Sequence, residues 1–214
     1  MLTVLIADDH PIISYGIKLL LKQVVTEVAV DTVEDGEAVY NRIKQKKYDV
    51  LILDMNMPKS EGVEMVSQLL IMQPLLKILV LTVNSELFFA QRYLKAGAFG
   101  YIEKSQPDQE LVEALRHVIH GKRYYSTRLM KHLSNVFIEG APPNPFERLS
   151  SREFEVALLL MKGKSINEIS EKLSLHASTT STYKTRIQEK LNVANLYELM
   201  NLGKHYHVFN DLID

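Results

Sequence analysis

Five side chains carry the strongest chemical signal in this sequence: Asp8 and Asp9, Asp54, Thr82 and Lys104. Each follows or ends a short run rich in Val, Ile and Leu. The acidic pair comes directly after residues 3–7, Asp54 after 50–53, Thr82 closes 78–82, and Lys104 lies just beyond 99–102. Such runs read as strands buried on both faces of a parallel sheet, and in an open α/β sheet the chemistry collects at the carboxyl ends of the strands. Three carboxylates, a hydroxyl and an ammonium are therefore expected on one rim. Clustered carboxylates repel one another unless a hard cation binds them. Mg²⁺ suits an all-oxygen site of one or two direct carboxylates, a carbonyl and waters. A lysine opposite the metal and a hydroxyl beside it leave room for a further anion, and a phosphoryl group fits that place.

The elements that must position these groups can be read from periodicity. Stretches with helical spacing at 12–21, 37–43, 63–72, 88–94 and 111–119 alternate with apolar runs at 3–7, 27–33, 50–53, 78–82 and 99–102. Five βα units are predicted, forming a parallel sheet with helices on each side. From Ser126 the pattern changes: Leu129, Leu133, Val136 and Phe137 form the apolar stripe of a predicted linker helix. Gly140-Ala-Pro-Pro-Asn-Pro145 is then expected to break all structure and to act as a stiff, extended linker. Beyond it, helices are predicted near 151–162, 166–173, 177–191 and 195–205. The expected organisation is an α/β domain over residues 1–122, a linker over 123–146 and an all-α domain over 147–214.

Composition narrows the class. The 214 residues include 25 Lys and Arg against 26 Asp and Glu, so no global charge advertises nucleic acid. With no cysteine there is no thiol nucleophile, disulfide framework or Cys-based zinc site. No apolar run approaches the ~20 residues of a membrane span, and the N-terminus lacks the basic region of a signal peptide. A cytoplasmic protein that spans no membrane is expected. His117 and His120 have helical metal-ligand spacing but no third ligand follows, so they read as a solvated face; His205 and His207 are weaker still.

A second chemical signal lies on the predicted helix 177–191. Thr180, Tyr183, Ile187 and Leu191 form its inward face, which leaves Ser181, Lys184, Thr185 and Gln188 pointing outward, flanked by Thr182 and Arg186. No acid interrupts this face before Glu189. Hydroxyls and cations bind phosphates and long side chains reach base edges, as a helix in the major groove requires.

Two family resemblances follow from these motifs. Residues 1 to about 122 resemble the receiver domain of bacterial two-component response regulators. The likeness rests on Asp8-Asp9, on Asp54-Met-Asn-Met-Pro58 with Gly62, on Thr82 and on Gly97-Ala-Phe-Gly-Tyr-Ile-Glu-Lys104. Residues 147–208 resemble the LuxR-type helix-turn-helix, through Leu149-Ser-Ser-Arg-Glu153, Ile166-Asn-Glu-Ile-Ser-Glu-Lys-Leu173 and Thr182-Tyr-Lys-Thr-Arg-Ile-Gln-Glu-Lys-Leu191. The combination is similar to NarL/FixJ-type response regulators.

The resemblance implies a flavodoxin-like (βα)5 receiver and a transcription factor, not an enzyme in the usual sense. It implies that Asp54 accepts a phosphoryl group from a sensor histidine kinase, as a carboxylate nucleophile. Asp9 would bind Mg²⁺ directly and Asp8 through water, with Asp54 and the backbone carbonyl of Asn56 completing the protein's ligands. Lys104 would pair with one phosphoryl oxygen and Thr82 with another, and Tyr101 would be the switch aromatic that turns inward when Thr82 moves. The third helix of the second domain would read double-stranded promoter DNA, and the fourth would join two copies into the active homodimer. Departures from the family pattern are Val83, Ser105, His176, Thr180 and Ser181. Two other readings are an aspartyl-phosphate enzyme, which the missing second acid at Asn56 disfavours, and a receiver whose helical output binds protein.

Overall fold

The computed structural model describes residues 1–139, 144–206 and 208, and divides into two compact units, Met1–Glu139 and Gly140–Asp214. Residues 140–143, where the stiff linker was expected, and His207 lie outside the described residues, as do the side chains of Val136 and Phe137.

In the first unit, strands β1 (Leu2–Ala7), β2 (Val28–Val33), β3 (Val50–Leu53), β4 (Lys77–Thr82) and β5 (Gly100–Glu103) form one parallel sheet in the order β2-β1-β3-β4-β5. Helices α1 (Pro11–Val24), α2 (Gly36–Gln45), α3 (Val63–Met72), α4 (Glu86–Lys95) and α5 (Asp108–Ile119) connect and cover it. The alternation expected from the sequence is the one observed. Every residue of β3 is buried, because this strand has neighbours on both edges and helices on both faces. At the edge, β2 buries only Val33 fully. Helix ends drift from the periodic signal where the first turn is polar. The first turn of α5, Asp108-Gln-Glu110, shows no apolar spacing, yet its acids favour a helix N-terminus.

The register puts the chemical groups side by side. Ala7 pairs with Leu53 and Thr82 with Glu103, so Asp8 and Asp54 leave adjacent strands together, as do Thr82 and Lys104. The ladder continues one residue past the strands: Asp54 N–H donates to the Ala7 carbonyl at 2.8 Å and Lys104 N–H to that of Thr82 at 2.7 Å. From β1 the chain adds β2 on one side and then β3 on the other, and this switch in strand order opens a crevice between β1 and β3. The loop after β3 is strapped to α2. Gly36 N–H donates to the Pro58 carbonyl at 2.9 Å, and a Cβ on Gly36 would lie 2.0 Å from the Lys59 oxygen, so only glycine permits this approach.

Helix α6 (Thr127–Glu139) begins fastened to the first unit. The Ser126 hydroxyl accepts from Leu129 N–H at 2.9 Å, capping the helix, and donates to the Glu86 carboxylate at 2.6 Å. Glu86 N–H in turn donates to Glu103 at 2.6 Å. Leu129, whose N–H Ser126 caps, is buried.

The second unit opens with a turn that the sequence reading missed. Pro145–Arg148 forms a 3-10 helix, capped by Asn144, whose side chain accepts from Phe146 N–H at 3.0 Å. Proline breaks a helix interior but suits a first turn, and Phe146 anchors this one edge-on against Phe154. Helices α7 (Ser151–Met161), α8 (Ile166–Leu173), α9 (Ala177–Leu191) and α10 (Leu196–His205) follow, close to the predicted spans. Capping boxes start α7 at Ser150 with Glu153 and α8 at Ser165 with Glu168. A buried contact of 2.8 Å between the Ser170 and Thr180 hydroxyls sets α8 against α9. Lys190 reaches back from the end of α9 to Glu153 at 2.6 Å.

Glu86 is 1 % exposed, and its Oε1 has no hydrogen-bond partner among the described residues. Burial pushes its carboxyl above the ordinary glutamate range, with Glu103 and Glu110 adding to the shift, while Ser126 and Arg128 pull the other way. A folded-state value raised above the unfolded one penalises the native state once the pH exceeds the ordinary glutamate value of about 4.3. Glu86→Gln is therefore expected to raise the melting temperature of the full chain at pH 7 by a few degrees. The gain should vanish below about pH 4, where the wild-type carboxyl is protonated in both states. Calorimetry across that range checks it, and a constant difference at all pH values would refute the titration argument.

Candidate phosphoacceptor site and nucleic-acid interface

Three of the expected groups form one buried ion cluster at the β1–β3 crevice. Lys104 Nζ lies 2.7 Å from Asp8 Oδ2 and 2.8 Å from Asp54 Oδ2, and the three side chains are 9 %, 2 % and 1 % exposed. The other oxygen of each carboxylate accepts a backbone N–H two residues on: His10 to Asp8 at 2.9 Å and Asn56 to Asp54 at 2.9 Å. These local turns fix both carboxyl groups in orientation. Burial pushes the Asp54 carboxyl up from its usual range, opposed by Lys104 and the Asn56 N–H and reinforced by the charge of Asp8. Burial alone would lower the Lys104 ammonium, but hydrogen bonds and charge from Asp54 and Asp8 outweigh it and hold its pKa raised.

Asp9 is 31 % exposed and faces the same space. Donor atoms of Asp8, Asp9, His10 and Asp54 lie within 4.8 Å of one another, the one such group among the described residues. Hard oxygens dominate this set, which fits a cation of the Mg²⁺ class. His10 is the member the sequence reading missed. In the sequence its one signal is adjacency to the acidic pair. The rings of His117 and His120 are in fact spent on their own helix, each with Nδ1 against the carbonyl four residues back.

Thr82, Asn56 and Asn84 close the rim beside Asp54. The Thr82 hydroxyl donates to Asn56 Oδ1 at 2.5 Å, and the Asn84 amide reaches the same oxygen at 3.3 Å. Tyr101 is fully buried and donates its hydroxyl to the Asn84 carbonyl at 2.9 Å. Burial drives its phenol well above the ordinary tyrosine value, so it remains a donor. Val83, next to Thr82, stands exposed.

In the second unit, α9 presents Ser181, Thr182, Lys184, Thr185 and Arg186 to solvent, with Thr180, Ile187 and Leu191 buried behind them. Tyr183, expected inside, is only partly covered. Thr182 and Thr185 turn their hydroxyl protons back to carbonyls four residues earlier, at 2.9 and 3.3 Å. Gln188 is half-buried and donates its amide to the Ala194 carbonyl at 3.0 Å, so in this structure it serves the turn after α9. His176 occupies the N-cap of α9 without a side-chain bond, as its poor capping chemistry suggests.

Compared with known proteins, residues 4–116 match the response regulator receiver domain, and residues 147–202 match the bacterial regulatory proteins of the luxR family. The chain belongs to the NarL/FixJ-type response regulators. Response regulator GacA of Pseudomonas aeruginosa is 36% identical over 204 residues, covering 95% of each chain. Response regulator UvrY of Escherichia coli strain K12 is 33% identical over 211 residues, covering 98% of this chain and 97% of its own. Among solved structures, RcsB from Salmonella enterica serovar Typhimurium, bound to promoter DNA in the presence of the phosphomimetic BeF3⁻, superposes with a TM-score of 0.69. It is 30% identical and the match covers 94% of this chain and 97% of that one. The regulator thus joins a receiver domain to a LuxR-type DNA-binding domain.

Removing the ammonium from the receiver leaves two buried carboxylates facing each other. Lys104→Ala is expected to destabilise the receiver by about 3 kcal/mol, typical of breaking a buried ion pair from one side. Added Mg²⁺ should then raise its melting temperature more than that of the wild type. Equal Mg²⁺ effects in the two proteins would show that ammonium and metal do not answer the same charge.

Proposed function

We propose that this regulator switches the DNA affinity of its LuxR-type domain through Mg²⁺-dependent phosphorylation of Asp54 by a sensor histidine kinase. The observation that carries the reading is the buried Asp54 carboxylate, held by Lys104 and the Asn56 N–H at the mouth of the β1–β3 crevice. In this reading the receiver occupies residues 1–122, the linker 123–146 and the DNA-binding domain 147–214, and the protein works in the cytoplasm. Among the described residues no helix is long and apolar enough to cross a membrane.

Each group then has a role. An Asp54 oxygen attacks the phosphorus of the kinase phosphohistidine, the new O–P bond forms as the P–N bond breaks, and the imidazole leaves. Asp9, Asp8 through water, Asp54 and the Asn56 carbonyl would hold Mg²⁺, which neutralises charge on the phosphoryl oxygens. Lys104 exchanges its Asp54 contact for a phosphoryl oxygen. Thr82 gives up Asn56 Oδ1 for another, which shifts the Asn84 backbone that Tyr101 holds. The protein is its own phosphoryl acceptor and turns over no external substrate.

Promoter DNA is the partner proposed for α9, with Ser181, Thr182, Lys184, Thr185 and Arg186 at the interface and Gln188 joining once its bond to Ala194 is released. RcsB, the structural relative, has been solved as two dimers bound to two parallel DNAs, which supports a homodimer as the active form here.

Incubation with acetyl phosphate and Mg²⁺ should add one phosphoryl group, read by intact-mass spectrometry, and Asp54→Asn should add none. A variant that still gains the group would place the acceptor elsewhere. On the DNA side, Lys184→Ala should weaken binding to all sequences alike and flatten the salt dependence by about one unit of slope, as loss of one phosphate contact requires. Fluorescence anisotropy over a salt series measures both.

A further inference from the structure

We propose that Glu86 is a proton-controlled latch on α6: with its carboxyl neutral it seats the Ser126 turn on the receiver, and once ionised it lets that turn go. The device does not depend on phosphorylation of Asp54.

Geometry confines the carboxyl. Glu86 opens α4, and its backbone is fixed by the 2.6 Å bond from its N–H to Glu103 Oε1. Its Oε2 accepts the Ser126 hydroxyl at 2.6 Å, and that hydroxyl in turn accepts from Leu129 N–H at 2.9 Å. One serine oxygen thus ties the receiver to the first turn of α6. The other carboxyl oxygen, Oε1, is buried without a partner among the described residues. An unpaired buried charge costs far more than an unpaired buried hydroxyl, so a proton belongs on Oε1 while Oε2 remains the acceptor for Ser126.

The surroundings favour that proton. Glu103 and Tyr101 face Glu86 from β5, Glu110 from α5, and Tyr124 and Arg128 from the segment that starts α6. Tyr93 of α4 packs its ring against Tyr101. Burial pushes the phenols of Tyr101 and Tyr124 above the ordinary range, so they stay neutral. Two acids therefore stand against one cation, and Arg128 already lies 3.4 Å from Glu103 Oε1. Burial raises the Glu86 carboxyl, and Glu103 and Glu110 add to the rise while Ser126 and Arg128 oppose it.

Linkage gives the direction. When the α6 turn lifts away, water reaches Glu86 and its pKa relaxes toward about 4.3. The seated form holds the proton more tightly, so the latch is at full strength below about pH 4.3 and weakens as pH rises through the raised value. Between those limits the opening equilibrium grows by up to about tenfold per pH unit, and it levels off above them.

The test is hydrogen exchange of the Leu129 and Met130 amides in the full chain from pH 5 to 8, with each rate divided by its intrinsic value. Both amides bond to Ser126, the first to its hydroxyl and the second to its carbonyl. In the wild type the ratio is expected to climb several-fold with pH and then level off. Glu86→Gln, a lasting copy of the neutral carboxyl, should hold it low and flat, and Ser126→Ala should hold it high at every pH. Low urea, which speeds exchange in β3 through global unfolding, should leave the α6 turn unaffected, since the opening is local. A ¹³C titration of the Glu86 carboxyl should give a midpoint well above 4.3. A midpoint at or below that value, a flat wild-type profile, a slope that survives in Glu86→Gln, or a urea dependence equal to that of β3 would overturn the latch. If Glu86→Gln fails to fold, the carboxyl titration and the wild-type exchange decide the matter alone.

Discussion

A single ammonium, that of Lys104, holds two buried carboxylates together at the centre of the receiver, within 2.7 Å of one and 2.8 Å of the other. Taking such charges out of water costs several kcal/mol for each ion, and only close pairing with saturated hydrogen bonding offsets it. The neighbouring backbone meets part of that demand. Asp8 and Asp54 each accept a local N–H, and Lys104 N–H is itself tied to the Thr82 carbonyl. Neutrality is still not reached. Asp8, Asp9 and Asp54 face one lysine, which leaves the rim with an excess of negative charge that a divalent cation would cancel.

The polar residues around this cluster form a connected layer from the rim to α6. Asn56 gathers Thr82 and Asn84, and the Tyr101 hydroxyl donates to the Asn84 carbonyl. Glu103, the residue before Lys104, accepts the Glu86 N–H at the start of α4, and Glu86 accepts the Ser126 hydroxyl that caps α6. Consecutive residues at one strand end thus serve the ion cluster and, through Glu86, the seat of α6.

The second domain solves a different problem, the exposure of a polar helix without loss of its position. Helix α9 keeps Thr180, Ile187 and Leu191 inside and is held by the Ser170–Thr180 hydroxyl pair at one end and the Lys190–Glu153 ion pair at the other. The hydroxyls of Thr182 and Thr185 return their protons to the helix backbone.

Element type and order were legible in the sequence because periodicity is a local consequence of burial. The all-apolar β3 announces a central strand, and Ser150 with Glu153 announces a helix start. The site residues were legible for a related reason: the carboxyl ends of successive parallel strands must share one rim, so Asp8, Asp54, Thr82 and Lys104 could be grouped before any distance was known. What local pattern could not supply was the partner of each polar atom. The turn of His10 toward Asp9, the bond from Thr82 to Asn56, the service of Gln188 to Ala194, the Phe146 anchor inside a proline-rich stretch and the seat of Ser126 on Glu86 depend on which backbone passes within 3 Å. Hydrogen bonds and ion pairs act over that short range and in specific directions, so only the tertiary structure decides them, whereas burial of an apolar face is non-directional and is already written in residue order.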